Sequence, residues 1–192
     1  TSVSRGLGDV YKRQLQFYLF SLQGQEIKNR NNFTVVIDPG HGGKDPGAVS
    51  NGFYEKIITL NTSLKLGKIL QDNGIEVIYT RDRDKFVNLL ERANIANKSD
   101  AQLFISIHCN YHTSQAYGAE TFVLGLHANQ RNFEVAKKEN SVIFFEDDYE
   151  SAYAGFDPNN PESVIGLTLM QEEYLDQSII AASYIQNGFV NR

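Results

Sequence analysis

The chain has 192 residues, 41% of them hydrophobic and 21% charged, which suits one globular domain with a sizeable core. A formal net charge of −5 argues against a nucleic-acid partner, because phosphate backbones are met by basic faces. One cysteine, Cys109, excludes an intramolecular disulfide and a thiol-rich structural zinc cluster, and no apolar run is long enough for a stable membrane span.

In chain order, residues 1–14 show neither a hydrophobic period nor capping signals and read as a foreign or unstructured leader. The short apolar run 15–22 reads equally as the remnant of an export signal or as a first strand. The polar stretch up to residue 32 reads as a linker, which sets 15–32 apart from a domain at 33–192. Val35, Val36 and Ile37 are stiff at χ1 and suit a strand covered on both faces. That strand stops at Asp38-Pro39-Gly40-His41-Gly42-Gly43-Lys44-Asp45-Pro46-Gly47, which its glycines and prolines make a loop. Taken alone, a histidine among glycines is ordinary loop composition.

Tyr54-Glu55-Lys56 heads the next element. Ile57, Leu60 and Leu64 recur at helical spacing, with Ile58, Leu66, Ile69 and Leu70 widening the face, which predicts a largely buried helix stopped by Asn73-Gly74. Residues 75–80 alternate as a strand and lead into the charged Arg81-Asp82-Arg83-Asp84. Leu89, Leu90, Ala93 and Ala96 predict a second helix ending near Asn97-Lys98, before an apolar strand that again ends in a histidine, His108. Residues 118–124 read as a fourth strand, 129–140 as a charged helix and 146–150 as a solvated acidic run. Asn160-Pro161 pairs a cap with an N1 proline, and Met170, Tyr174, Ala181 and Ile185 carry that helix to Asn187-Gly188.

Strands alternating with helices imply right-handed crossovers and a three-layer α/β/α fold around a mostly parallel twisted sheet. In such sheets ligands bind beyond the carboxyl ends of the strands. His41 and His108 should therefore emerge at one edge, where Glu55 re-enters the fold. Two imidazoles and a carboxylate make a three-ligand zinc site with a fourth position open for water. A dinucleotide loop fits less well, because Asp45 stands where the third glycine is needed and no lysine-serine pair follows as in a P-loop. A glycosidase needs two working carboxylates, whereas the anchored set here is two histidines and one glutamate.

The segment Asp38 to Gly47, then Glu55, Thr80-Arg81-Asp82 and Ser106-Ile107-His108-Cys109-Asn110, in that order, resembles the zinc-dependent N-acetylmuramoyl-L-alanine amidases (amidase type 3) that cleave bacterial peptidoglycan. The likeness runs from about residue 33 to about residue 125. It implies Zn2+ as cofactor, His41, Glu55 and His108 as its ligands, and peptidoglycan as partner, with an activator protein left unknown. Export to the periplasm or cell surface of a bacterium follows from that substrate. It also suggests Asn110 as a substrate-binding residue, Arg81 as substrate rim or structural support, Asp38 as an outer-shell partner of a histidine, and residues 144–161 as a lid or groove wall. His112 is a minor candidate for substrate contact.

The family's general acid/base is a glutamate in a later Val-Glu-x-Gly-Phe-like strand, and residues 189–192 contain no acid. The expectation is therefore a domain with its last strand missing, an uncovered sheet edge and a catalytic acid beyond Arg192, with Glu120 and the acidic run as weak substitutes. These residues alone should turn over poorly. The alternative is a non-catalytic, zinc-containing peptidoglycan-binding protein.

Overall fold

The structure, a computed structural model, describes residues 14–20, 33–110, 117–123, 139, 145–146 and 175–191. His112, His127, the helix start at Asn160-Pro161 and nearly all of 129–140 and 144–161 lie outside the described residues.

Five strands form one sheet in the order β5-β2-β6-β1-β7. They are β1 (Gln14–Phe20), β2 (Thr34–Pro39), β5 (Glu76–Tyr79), β6 (Leu103–Asn110) and β7 (Ala119–Val123). A small hairpin, β3 (Val49–Ser50) and β4 (Phe53–Tyr54), stands apart from it. The strands β5, β2 and β6 run parallel, with Ile37 beside Ile105 and Asp38 beside Ser106. This is the α/β architecture with a mostly parallel sheet that the alternation of strands and helices implies.

Beyond β6 the direction reverses. The apolar run near the start of the chain is built into the sheet as β1, antiparallel to β6 and parallel to β7. The free edge of β6 is thus covered by β1, and the sheet's outer strands among the described residues are β5 and β7. Connection length explains the reversal of β7. Residues 111–118 are too few for the crossover of a dozen or more residues that a parallel return to β6 would need.

Side chains alternate along the central strands and separate two cores. Val35, Ile37, Ile105 and Ile107 pack with Leu66 and Leu70 of α1 (Glu55–Asp72) and with Ala181, Ala182 and Ile185 of α3 (Leu175–Val190). On the other face, Val36 and Phe104 meet Ala96 of α2 (Leu89–Lys98), with Ala101 and Ile78. Two cores on opposite faces of a central sheet make the three layers.

Two helix expectations need correction. The buried stripe of α1 is Glu55, Thr59, Leu60, Ser63 and Gly67, whereas Ile57 and Ile69 are exposed. Small and polar residues let the helix lie close to the strand ends, where its first turn has hydrogen bonds to make. The helix α3 also runs through Asn187-Gly188 to Val190, and Asn191 N still bonds to Asn187 O at 3.1 Å. One interior glycine costs a helix only ~1 kcal/mol, less than the packing of its apolar face supplies.

The end of β2 is fixed to α2 by a buried ion pair. Asp38 Oδ1 accepts from Arg92 Nη1 at 2.6 Å and from Thr80 Oγ1 at 2.5 Å, and its Oδ2 accepts from Ser106 Oγ at 2.7 Å. Burial alone would raise the Asp38 pKa, but the Arg92 charge and these donors outweigh it and hold the carboxyl at about 2. An unfolded aspartate titrates near ~3.9. The pair's stabilisation is therefore fully present above that value and lost as pH falls through it toward 2. Asp38→Asn should cost ~3–5 kcal/mol near neutrality, because Arg92 is left buried without its partner. Denaturant titrations of both proteins should show this gap narrowing by on the order of 2 kcal/mol between pH ~5 and pH ~2. A gap that does not change with pH would rule the pair out as its source.

Candidate metal centre

The loop after β2 is shaped by close approaches. Gly40 N donates to Ile107 O at 3.0 Å, which draws the loop against β6. A Cβ at Gly40 would overlap the His108 imidazole, and one at Gly47, where φ is +64°, would meet the His41 ring and the Glu55 Cβ. Glycine at these positions allows the three side chains to close on one another. His41 itself has φ 62°, an uncommon conformation for a residue with a side chain.

The rotation of the His41 ring is set by Asp45. Its Oδ2 lies 2.7 Å from His41 Nδ1, while its Oδ1 accepts from Gly47 N at 3.0 Å. A proton on Nδ1 directed at that carboxylate leaves Nε2 facing inward as a lone-pair donor. The expected outer-shell partner, Asp38, is instead committed to Thr80, Arg92 and Ser106. It points away along the sheet face packed by α2, and the carboxylate beside the His41 ring is that of Asp45.

Glu55, the first residue of α1, is 1% exposed. Its Oε2 accepts from Ala48 N at 2.8 Å and its Oε1 from Cys109 N at 2.6 Å. Held by these two amides, Oε1 lies 3.1 Å from His41 Nε2 and 3.4 Å from His108 Nδ1. The two imidazole nitrogens are 3.3 Å apart. The structure thus brings together the side chains of His41, Glu55 and His108.

It adds a fourth that sequence reasoning missed. Glu139 Oε2 lies 2.7 Å from His108 Nδ1 and 3.4 Å from His41 Nε2. Its Oε1 is buried without a hydrogen-bond partner among the described residues. Glu139 sits in a Lys-Lys-Glu-Asn stretch that reads as a solvated helix, and no local pattern marks it out. Only its position across the cluster does.

Other candidates fall elsewhere. Arg81 is 1% exposed and donates to the carbonyls of Pro39 and Gly40. Glu120 is half-buried on β7 and outside the four-residue cluster. Asn110 closes β6, two residues beyond His108. Glu146, from the run expected to be solvated, is buried, and its carboxylate accepts from Leu89 N at 3.1 Å. An anion there is favoured because the first amides of α2 lack partners within the helix.

The four donors fit one divalent ion of zinc's size. All lie within 4.8 Å of one another. A tetrahedron with ligand bonds of ~2.0–2.2 Å has edges of ~3.3–3.6 Å; the separations of 3.1, 3.3, 3.4 and 3.4 Å lie near that length, and the Glu139–His108 contact, at 2.7 Å, is shorter. Without a cation, protons must compensate the buried carboxylates. Burial alone would lower the His41 pKa, but hydrogen bonds to Asp45, Glu139 and Glu55 raise it to about 11. For His108 burial is likewise outweighed, mainly by the charge of Glu139, and its pKa rises to about 9. Burial would raise both carboxyls, yet the two imidazoles hold Glu139 at about 2 and Glu55 far below the usual carboxylate range.

Comparison with known proteins points to one family. The family model for N-acetylmuramoyl-L-alanine amidase (amidase type 3) matches residues 35–192. The sporulation-specific N-acetylmuramoyl-L-alanine amidase of Bacillus subtilis strain 168 is 46% identical over 78 residues, which is 40% of this chain and 31% of that protein. N-acetylmuramoyl-L-alanine amidase AmiA of Escherichia coli K12 is 42% identical over 99 residues, 50% of this chain and 34% of that one. The chain spans about a third of the length of these relatives. Among solved structures, an N-acetylmuramoyl-L-alanine amidase from Clostridium difficile 630 is 33% identical, with 60% of this chain and 64% of that chain covered and a TM-score of 0.44.

The raised imidazole pKa values carry a testable consequence. Both lie above neutrality, so at pH 7 a divalent ion displaces protons from His41 and His108, on the order of two per ion bound. Calorimetric zinc titrations in buffers of different ionisation enthalpy should report that release. Apparent affinity should weaken steadily as pH falls from ~9 to ~6, since protons compete for the same lone pairs. Binding without net proton release would contradict the cluster's protonation.

Proposed function

Because the chain belongs to the N-acetylmuramoyl-L-alanine amidase family, amidase type 3, we propose that it forms the zinc-dependent part of a hydrolase that cleaves the amide between N-acetylmuramic acid and L-alanine in peptidoglycan. The observation that carries this reading is the set of His41, Glu55, His108 and Glu139, whose donor atoms all lie within 4.8 Å of one another. A zinc ion there would polarise the lactyl amide carbonyl and lower the pKa of a bound water toward ~7.

The chain's own residues have distinct tasks in this reading. His41 Nε2, His108 Nδ1 and Glu55 Oε1 would hold the ion. Asp45 keeps His41 in the tautomer that can ligate. The amides of Ala48 and Cys109 keep the Glu55 carboxylate from swinging away. Glu139 Oε2, 2.7 Å from His108 Nδ1, would supply a fourth ligand where a reactive water would bind, and turnover would need its carboxylate to withdraw.

That fourth protein ligand also favours a second reading. Closed four-ligand sites are characteristic of structural zinc, whereas catalytic sites keep a position open. A protein that holds zinc and binds peptidoglycan without cutting it is consistent with Glu139 at the fourth corner.

The substrate also implies location. Peptidoglycan lies outside the cytoplasm, and no helix among the described residues is long and apolar enough to cross a membrane. Export to the periplasm or cell surface is accordingly part of the proposal, and a fusion of the natural N-terminus to a reporter active only outside the cytoplasm tests it.

Zinc-loaded protein incubated with purified muropeptides should release a stem peptide with a free alanine α-amino group and a peptide-free disaccharide, both identified by mass. Cleavage within the glycan or within the peptide would overturn the amidase reading. Glu139→Ala should raise turnover while weakening zinc binding, because it frees a coordination position. If neither protein cleaves but both retain peptidoglycan in pull-down, the non-catalytic reading stands.

A further inference from the structure

We propose that Arg81 is a positioning residue of the metal centre: its buried guanidinium joins the backbone just before His41 to the backbone just after Glu55 and so sets the distance between those two ligands. The inference rests on the metal reading of the cluster and adds a residue that touches neither the ion nor the substrate.

A single nitrogen makes the junction. Arg81 Nη2 donates to Gly40 O at 2.7 Å and to Lys56 O at 2.8 Å, and it lies 3.1 Å from Thr59 Oγ1. Gly40 precedes His41 and Lys56 follows Glu55. Thr59 Oγ1 in turn donates to Gly40 O at 2.9 Å, which closes a buried knot between the loop and the first turns of α1. On its other side, Arg81 Nε donates to Pro39 O at 2.9 Å and Nη1 to Arg83 O at 3.3 Å.

The neighbouring cation completes the frame without replacing it. Arg92 Nη1 donates to Pro39 O at 2.8 Å and Nη2 to His41 O at 2.8 Å. Between them the two guanidiniums take the successive carbonyls of Pro39, Gly40 and His41. That holds the segment in which His41 carries its positive φ of 62°. Only Arg81 also reaches α1, through Lys56 and Thr59, and Glu55 is the first residue of that helix. The contacts require a planar fork with several donors at fixed angles. A lysine ammonium, a point charge on a flexible stem, cannot hold them together.

The test compares the unsubstituted chain with Arg81→Lys, using zinc competition titrations and the visible absorption of the Co2+-substituted protein. A core substitution remote from the centre, Ile185→Ala, serves as a control for lost stability. Arg81→Lys should fold, bind zinc ~10–100-fold more weakly, as removal of supporting contacts around ligands typically does, and show altered Co2+ ligand-field bands. The Ile185→Ala protein should keep both the affinity and the bands. Unchanged affinity and spectrum in Arg81→Lys, or the same losses in Ile185→Ala, would overturn the proposal.

If Arg81→Lys does not fold, Thr59→Val removes only the hydroxyl through which α1 meets Arg81 Nη2 and Gly40 O. It should weaken zinc binding in the same direction by a smaller factor, and unchanged affinity there would also overturn the clamp. Failure of the unsubstituted chain to bind zinc or Co2+ at all would overturn the metal reading itself, and this inference with it. That result is distinct from normal binding that the substitutions leave untouched.

Discussion

Two carboxylates and two imidazoles share one buried place, with their donor atoms within 4.8 Å of one another. Burial makes such a cluster untenable as free anions and facing lone pairs, because an uncompensated charge taken out of water costs several kcal/mol or more. It must hold protons or a cation. The rest of the domain can be understood as the means by which a chain of ordinary composition keeps these groups together despite that cost.

The means are mostly backbone hydrogen bonds made at a distance from the cluster. Glu55 is gripped by the amides of Ala48 and Cys109, one from the loop and one from β6. His41 is turned by Asp45, which the same loop orients through Gly47 N. Behind them, Arg81 and Arg92 gather the carbonyls that end β2. These guanidiniums do not neutralise the cluster directly. They satisfy buried acceptors that a glycine-rich turn would otherwise leave without donors, and this allows the turn to be both tight and buried.

Glu139 enters from outside that frame. It approaches His108 more closely than any other donor of the set, at 2.7 Å, and its second oxygen is buried without a hydrogen-bond partner among the described residues. Glu146, a few residues further on, reaches the start of α2. Glu139 and Glu146 each meet that frame through a carboxylate. A carboxylate can exchange its place for water. An exchangeable ligand on a firmly held triad is what separates an enzyme that opens from a site that stays shut.

The sequence by itself determined the central strands and the histidines at their ends. Stiff apolar runs ending abruptly at Pro39-Gly40-His41 and at His108 are local signals of buried strands that deliver a side chain to one edge, and the crossover rule for parallel strands places both at the same edge. The position of Glu55 at the head of a helical period was legible for the same reason. What only the tertiary structure decided depends on partners distant in the chain. Arg81 in a charged run looks solvated until the carbonyls of Pro39, Gly40 and Lys56 surround it. Glu55 and Thr59 on the buried stripe of α1 meet the Ala48 and Cys109 amides and the Gly40 carbonyl, which no hydrophobic period can announce. The reversal of β7 follows from a connection too short to cross over, the antiparallel pairing of β1 with β6 joins strands far apart in the chain, and Glu139 joins the site because a fold, not a motif, carries it across to His108.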